Sequence, residues 1–197
     1  VTVAFCDGLK YIAKNLQEYQ VSVFVAVPLV LETIYKKIRK GIKDQGKEKL
    51  VNAMSKIANF LLIFHIDIRR KVFKSVLDQM GGKLRIAYFC ASSMDKAAIE
   101  GYNNFGIATV QGYGLTETSP LLAAETDKQK CPGSVGMAPY NIELKLEDVD
   151  ENGIGEILAK GPNIMLGYYE NPEATEEAMK DGWFHTGDLG YFNKDGY

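Results

Sequence analysis

Cysteine is scarce in this chain of 197 residues: Cys6, Cys90 and Cys131 are odd in number, far apart and contain no Cys-x-x-Cys pair. That pattern argues against a zinc ribbon or a disulfide framework and makes a reducing, cytoplasmic setting the expectation. Histidine is scarcer. His65 and His185 have no metal-ligating partner at helical spacing, which argues against a histidine-built metal site. Charge of one sign is lacking too: the formal net charge is -2, so nothing electrostatic points to nucleic acid. No apolar run approaches the roughly 18 residues of a membrane span; Val21 to Leu31 is interrupted by Pro28 and followed by Glu32. The N-terminus has no signal-peptide pattern. Neither Gly-x-Gly-x-x-Gly nor Gly-x-x-x-x-Gly-Lys-Ser/Thr occurs, which excludes the common dinucleotide and triphosphatase loops. No internal repeat is present.

What the chain does have is enough apolar residue, 46%, to bury a core as a soluble globular protein. Thr2 to Cys6 reads as a strand and Leu9 to Leu16 as a short amphipathic helix. Val21 to Val27 is rich in β-branched residues, as in a strand buried on both faces. Pro28 opens a helix with Leu31, Ile34, Tyr35 and Ile38 on one face, basic residues at its end and Gly41 to close it. Gly41 to Lys49 is polar and mostly basic: a solvated loop, or a contact with a membrane surface. Val51 to Leu77 reads as two helical pieces joined near His65 to Arg69, with His65 packed or facing solvent. Leu84 to Cys90 is another strand, and Ser92, Ser93 or Asp95 can cap a helix that points Ala98, Ile99, Tyr102 and Phe105 inward. Ile107 to Val110 is again a strand. Alternating strands and helices predict an α/β layer.

The texture changes near residues 126 to 132. Ile142, Leu144 and Leu146 alternate with charged residues, Asp150 to Gly153 forms a turn, and Gly155 to Lys160 returns as the partner strand. Asn171 and Pro172 start a short helix, and Gly182 to Gly190 is a strand-to-turn passage. The expected class is α/β, with a layered α/β subdomain over 1–126 and a mostly antiparallel, distorted barrel-like β subdomain over 127–197.

Gln111-Gly112-Tyr113-Gly114-Leu115-Thr116-Glu117-Thr118 follows a strand, where open α/β sheets bind ligands. An aromatic face, bare backbone, a hydroxyl and a carboxylate suit a magnesium-bound nucleotide; a solvated turn or a helix cap has the same wording. The stretch resembles the adenine- and phosphate-binding motif of adenylate-forming enzymes, which include acyl-CoA synthetases, luciferases and adenylation domains. Gly155 to Gly161 with Met165-Leu166-Gly167-Tyr168-Tyr169 resembles the Gly-Glu-Leu/Ile segment of that family, and Gly182 to Gly190 its Thr-Gly-Asp motif. Val25 to Pro28, with Leu31-Glu32 and Ile34-Tyr35, is similar to a Val-Pro segment of long-chain acyl-CoA synthetases. The matches run in the family order over nearly the whole chain.

The resemblance implies a two-step reaction: a fatty-acid carboxylate attacks the α-phosphate of ATP, and coenzyme A then displaces AMP. It implies that Tyr113 stacks on adenine between Gly112 and Gly114, that Thr116 bonds the α-phosphate, that Glu117 holds Mg²⁺, and that Asp188 accepts the ribose hydroxyls. Amino-acid or aryl-acid adenylation is the alternative within the family; a non-catalytic nucleotide-binding module is the alternative outside it. Cys90-Ala91-Ser92-Ser93-Met94 departs from the family's small-residue wording, which leaves the acyl specificity open. Nothing supplies Cys90 with a base, so it reads as a buried residue and not a nucleophile. The family's Ser/Thr/Gly-rich phosphate loop, hinge and lysine-bearing C-terminal domain are not found in these residues. The expectation is therefore a segment of a longer enzyme, partnered by its missing N- and C-terminal parts and forming no acyl-adenylate alone.

Overall fold

A computed structural model of the chain describes residues 2–90, 92, 94–126, 129–131 and 133–197. It divides into two compact units, Val1–Thr109 and Val110–Tyr197. Residues 126 to 132, where the sequence changes texture, fall inside the second unit; Asp127, Lys128 and Pro132 lie outside the described residues.

In the first unit, β1 (Val23–Ala26) and β2 (Ile86–Phe89) run parallel, with Val23 against Ile86 and Ala26 against Phe89. Parallel neighbours need a long crossover. Here it is made by α2 (Pro28–Asp44), α3 (Glu48–Leu62), α4 (Arg69–Val72) and α5 (Lys74–Asp78). A short 3-10 turn and α1 (Ile12–Tyr19) precede β1. Of the three suggested caps it is Asp95, and not Ser92, that caps α6 (Lys96–Asn104), its Oδ1 accepting the Ala97 N–H at 2.6 Å; Ser93 lies outside the described residues. Leu31, Phe73, Leu84, Ala87, Tyr102 and Phe105 belong to one buried core. The buried Tyr102 hydroxyl is satisfied by donating to the Leu31 carbonyl at 2.7 Å.

Three local expectations change. Thr2 to Cys6 is not a strand: it pairs with no strand among the described residues, and Val3 and Phe5 are exposed. A strand needs a ladder partner, and alternation alone does not supply one. The run over β1 is not buried on both faces, since Val25 remains 67% exposed while Phe24 and Ala26 pack on the core. Gly41 does not close α2, which continues to Asp44; Ile42 extends the buried stripe of Leu31 and Ile38, and that packing outweighs the poor helix propensity of glycine. The helical join expected near His65 to Arg69 is found at 63–68, between α3 and α4, with His65 facing solvent at φ +60.

β3 (Ala108–Tyr113) leads into the second unit. There it pairs antiparallel with β4 (Ala123–Ala124), Gly112 against Ala124 and Tyr113 against Ala123. β5 (Glu143–Glu147), β6 (Gly155–Lys160), β7 (Met179–Lys180) and β8 (Trp183–Gly190) form an antiparallel sheet in the order β5-β6-β8-β7. The turn between β5 and β6 is tied by Asp150, whose Oδ1 accepts the N–H groups of Asn152 and Ile154 at 2.8 and 2.9 Å. Asn171 caps α7 (Pro172–Ala178), as its position before Pro172 predicts. Leu122, Ala159 and Phe184 form the buried centre of this unit. The α/β class and the antiparallel second sheet are as read from the sequence.

Candidate functional site

The chain leaves β3 through Gly112, Tyr113 and Gly114. A Cβ on Gly114 would run into the Pro120 carbonyl and the Leu122 nitrogen, so the tight β3–β4 return requires glycine there. After Leu115, Thr116–Thr118 make a 3-10 turn held by buried Thr118, whose hydroxyl donates to the Leu115 carbonyl and accepts the Leu115 N–H, both at 2.9 Å. Thr116 is left exposed, its hydroxyl without a partner among the described residues.

Glu117 is half-buried and anchored twice: its carbonyl accepts the Met165 N–H at 2.7 Å, and its Oε1 accepts the Tyr168 hydroxyl at 3.0 Å. The hydrogen bond to Glu117 raises the Tyr168 phenol above its ordinary value. Asn163 straps the same turn from below, its Nδ2 donating to the carbonyls of Thr118 and Leu121 at 2.7 and 2.8 Å. Asn163 Oδ1 is buried without a partner among the described residues.

Asp188 sits in a bulge on β8. Glu156 pairs with Leu189 and Leu158 with His185, so the single residue Ile157 faces Thr186, Gly187 and Asp188. Gly187 takes φ +72, a conformation that favours glycine. The bulge is tied by the Thr186 hydroxyl donating to the Ile157 carbonyl at 2.7 Å, and by the Gly187 N–H donating to Glu156 Oε1 at 2.9 Å. Asp188 emerges exposed, and its Oδ2 accepts the Tyr113 hydroxyl at 2.7 Å. Burial, joined by the Asp188 acceptor, pushes the Tyr113 phenol well above its ordinary value.

A cavity of about 540 Å³ opens beside this pair, lined by Tyr113, Gly136, Leu144, Asp188, Tyr191 and Phe192 among others. Its size suits a nucleotide-sized ligand. Tyr113 and Asp188 are thus brought together 75 residues apart in sequence. Gly112, Gly114, Thr116 and Glu117 do not line the cavity; Gly112 lies in the β3 ladder opposite Ala124, Gly114 serves the turn, and the hydroxyl and carboxylate lie on the 3-10 segment that follows it.

Glu117 has one carboxylate oxygen, Oε2, free of protein hydrogen bonds among the described residues, a hard donor that fits Mg²⁺. A second set of ligating groups is met where helical spacing predicts none: Glu147, Glu156 and His185 bring one donor atom each within 4.8 Å of one another. They lie on three neighbouring strands, a proximity that cross-strand register creates. Cys90, read as buried, is exposed, and its neighbours Ala91 and Ser93 lie outside the described residues. Sequence reasoning assigned no role to Asn163, Tyr168 or Glu156. Only the aromatic of Gly167-Tyr168-Tyr169 and the carboxylate of Gly155-Glu156 offered a signal, and neither says which side chain turns inward.

Comparison with known proteins adds a family. The AMP-binding enzyme family matches residues 2–169. Long chain acyl-CoA synthetase 1 of Arabidopsis thaliana is 31% identical over 96% of this chain and 32% of its own length. The chain therefore spans about a third of the length of that relative. O-succinylbenzoate coenzyme A synthetase of Bacillus subtilis, solved with ATP and magnesium, superposes with a TM-score of 0.65 at 21% identity, over 96% of this chain and 33% of that one. VinN, solved with L-aspartate, gives a TM-score of 0.66 at 21% identity, over 94% and 39%. At such identities the structural likeness concerns the fold.

Proposed function

This chain belongs to the AMP-binding enzyme family, and from that premise we propose that it forms the nucleotide-facing part of an ATP-dependent ligase that joins long-chain fatty acids to coenzyme A. The observation that carries the reading is the Tyr113–Asp188 hydrogen bond at the edge of the cavity. It couples an aromatic face to a carboxylate, one suited to stacking on a purine and the other to accepting ribose hydroxyls.

A carboxylate is a poor acyl donor until one of its oxygens becomes part of a good leaving group. In the first step a fatty-acid carboxylate oxygen forms a bond to the α-phosphorus of ATP, and the bond to the departing pyrophosphate breaks. In the second, the coenzyme A sulfur, losing its thiol proton to solvent, bonds to the acyl carbon, the bond from that carbon to the phosphate oxygen breaks, and AMP leaves with that oxygen and the bonding electron pair. The protein contributes by positioning reactants and offsetting charge on phosphate oxygens. Thr116, exposed on its 3-10 turn, offers a hydroxyl to the α-phosphate. Glu117 would hold Mg²⁺, which when bound neutralises phosphate charge. Tyr168 donates to Glu117 Oε1 and so restrains that carboxylate. Fatty acids are favoured by the 31% identical long chain acyl-CoA synthetase 1 and by the Val25 to Pro28 wording. A peripheral contact with a lipid surface through the first unit belongs to the same reading, since the product and substrate are lipophilic.

The test is made in the full-length parent enzyme. Glu117→Gln should lower fatty-acid-dependent pyrophosphate exchange by about 10²-fold or more, in line with loss of one preorganised electrostatic group, while the thermal midpoint stays put. Unchanged exchange refutes the role of Glu117. A panel of acids, scored by AMP release with and without coenzyme A, tests the substrate: preference for an amino acid or aryl acid overturns the fatty-acid assignment.

A further inference from the structure

The bulge that presents Asp188 does not hold itself in place. Where one residue of β6 faces three of β8, the ladder is broken and backbone donors are left to find other partners. The Gly187 N–H finds Glu156 Oε1 at 2.9 Å. The other oxygen of the same carboxylate, Oε2, lies 3.1 Å from His185 Nδ1, at the point where the bulge begins. One side chain therefore grips the bulge at its root and at its apex. Two further bonds complete it: Thr186 to the Ile157 carbonyl, and the Asp188 N–H to the Thr186 hydroxyl at 3.1 Å.

The chemistry needs a carboxylate. It is the side chain with two acceptor oxygens on one rigid plane, and each is used by a different donor. Glu156 is directly paired across the ladder with Glu147, so two acids face each other. His185 lies between them, 3.1 Å from Glu156 and 3.9 Å from Glu147. Burial pushes the Glu156 carboxyl up, but the Gly187 N–H and the His185 ring outweigh burial and leave it below its ordinary value, ionised and acceptor-only.

We propose that Glu156 is a positioning residue for Asp188: by clamping Gly187 and His185 it fixes where the Asp188 carboxylate stands relative to Tyr113 and the cavity. Glu156 does not line the cavity and need not touch the nucleotide. The inference rests on the reading of Asp188 as the acceptor of ribose hydroxyls, so the experiment separates the two.

In the full-length enzyme, KM for ATP, for 2′-deoxyATP and for the fatty acid are measured in parallel with thermal unfolding. Asp188→Asn should erase most of the preference for ATP over 2′-deoxyATP. Glu156→Gln and Glu156→Ala should do the same through misplacement, raising KM for ATP by about 10- to 100-fold while KM for the fatty acid is unchanged. Glu147→Gln, which alters the neighbouring acid without touching Gly187, should keep the preference. If Asp188→Asn loses the preference and both Glu156 variants retain it, the positioning role is overturned. If Asp188→Asn itself retains it, the ribose reading falls and the positioning role falls with it. Should Glu156→Ala fail to fold, Glu156→Gln carries the test: it keeps the side-chain shape but only one acceptor oxygen, so it cannot accept from both Gly187 and His185, and retention of the preference by Glu156→Gln alone then overturns the role.

Discussion

At the scale of single residues, the site is a set of side chains that hold other side chains. Asn163 shows this best. Its amide donates to two carbonyls on either side of the Ser119-Pro120 turn, Thr118 O and Leu121 O, and no other donor to either carbonyl is found among the described residues. Asn163→Ala would strip both carbonyls of their partner in a partly buried position. The expected loss is about 1–3 kcal/mol of stability, the range for leaving buried polar groups unsatisfied, seen as a lower denaturant midpoint with an unchanged slope. A wild-type midpoint in the variant would mean that solvent reaches those carbonyls and that the strap is idle. Legibility at this scale is uneven for a physical reason. Tyr113 and Asp188 are marked by the glycines around them, because exposed backbone and sharp turns leave a trace in local sequence. Asn163, Tyr168 and Glu156 act across 31 to 51 residues, and local sequence carries no trace of which distant carbonyl, carboxylate or N–H will meet them.

At the scale of elements, the strands and helices that carry the site were readable where periodicity and caps agree, and misread where a pattern had no partner. The β5–β6 hairpin was legible because Asp150 to Gly153 encodes its own turn, and α7 because Asn171-Pro172 encodes its own start. Thr2 to Cys6 carries strand wording but has no ladder to join. Gly41 is the instructive case. Glycine near the end of an apolar stripe looks like a stop, yet α2 runs through it because Ile42 still has core to cover. That leaves a helix-interior glycine with ordinary backbone geometry and open space where a Cβ would go. Gly41→Ala should therefore stabilise the chain by about 0.5–1 kcal/mol through reduced freedom of the unfolded state, read as a higher thermal midpoint. A fall in the midpoint would mean that the last turn of α2 is not formed in solution.

At the scale of the whole molecule, each unit satisfies its own core but the first leaves much apolar surface uncovered. On α3, Leu50, Ile57 and Phe60 share an outward face, although Val51, Met54 and Ala58 already supply an apolar face to the interior. Phe64 continues the patch beyond the helix end, its ring packed edge-on against Phe60 at 5.5 Å. Lys40, Lys43, Lys47 and Lys49 are exposed in the adjoining segment. The sequence showed the basic run; only the structure shows that the apolar face accompanying it points outward. No described helix is long and apolar enough to cross a membrane, so the proposed contact is with a surface: aromatic side chains enter the acyl boundary while lysines meet anionic headgroups. Each lysine near such a surface adds about 1 kcal/mol of attraction, which salt should weaken. The chain is therefore expected to cosediment with phosphatidylcholine vesicles containing phosphatidylserine, less so in high salt, and to lose binding on Phe60→Glu combined with Phe64→Glu. Equal recovery with purely zwitterionic vesicles would remove the role of the lysines, and no recovery with either kind would leave the lipid-surface proposal without support.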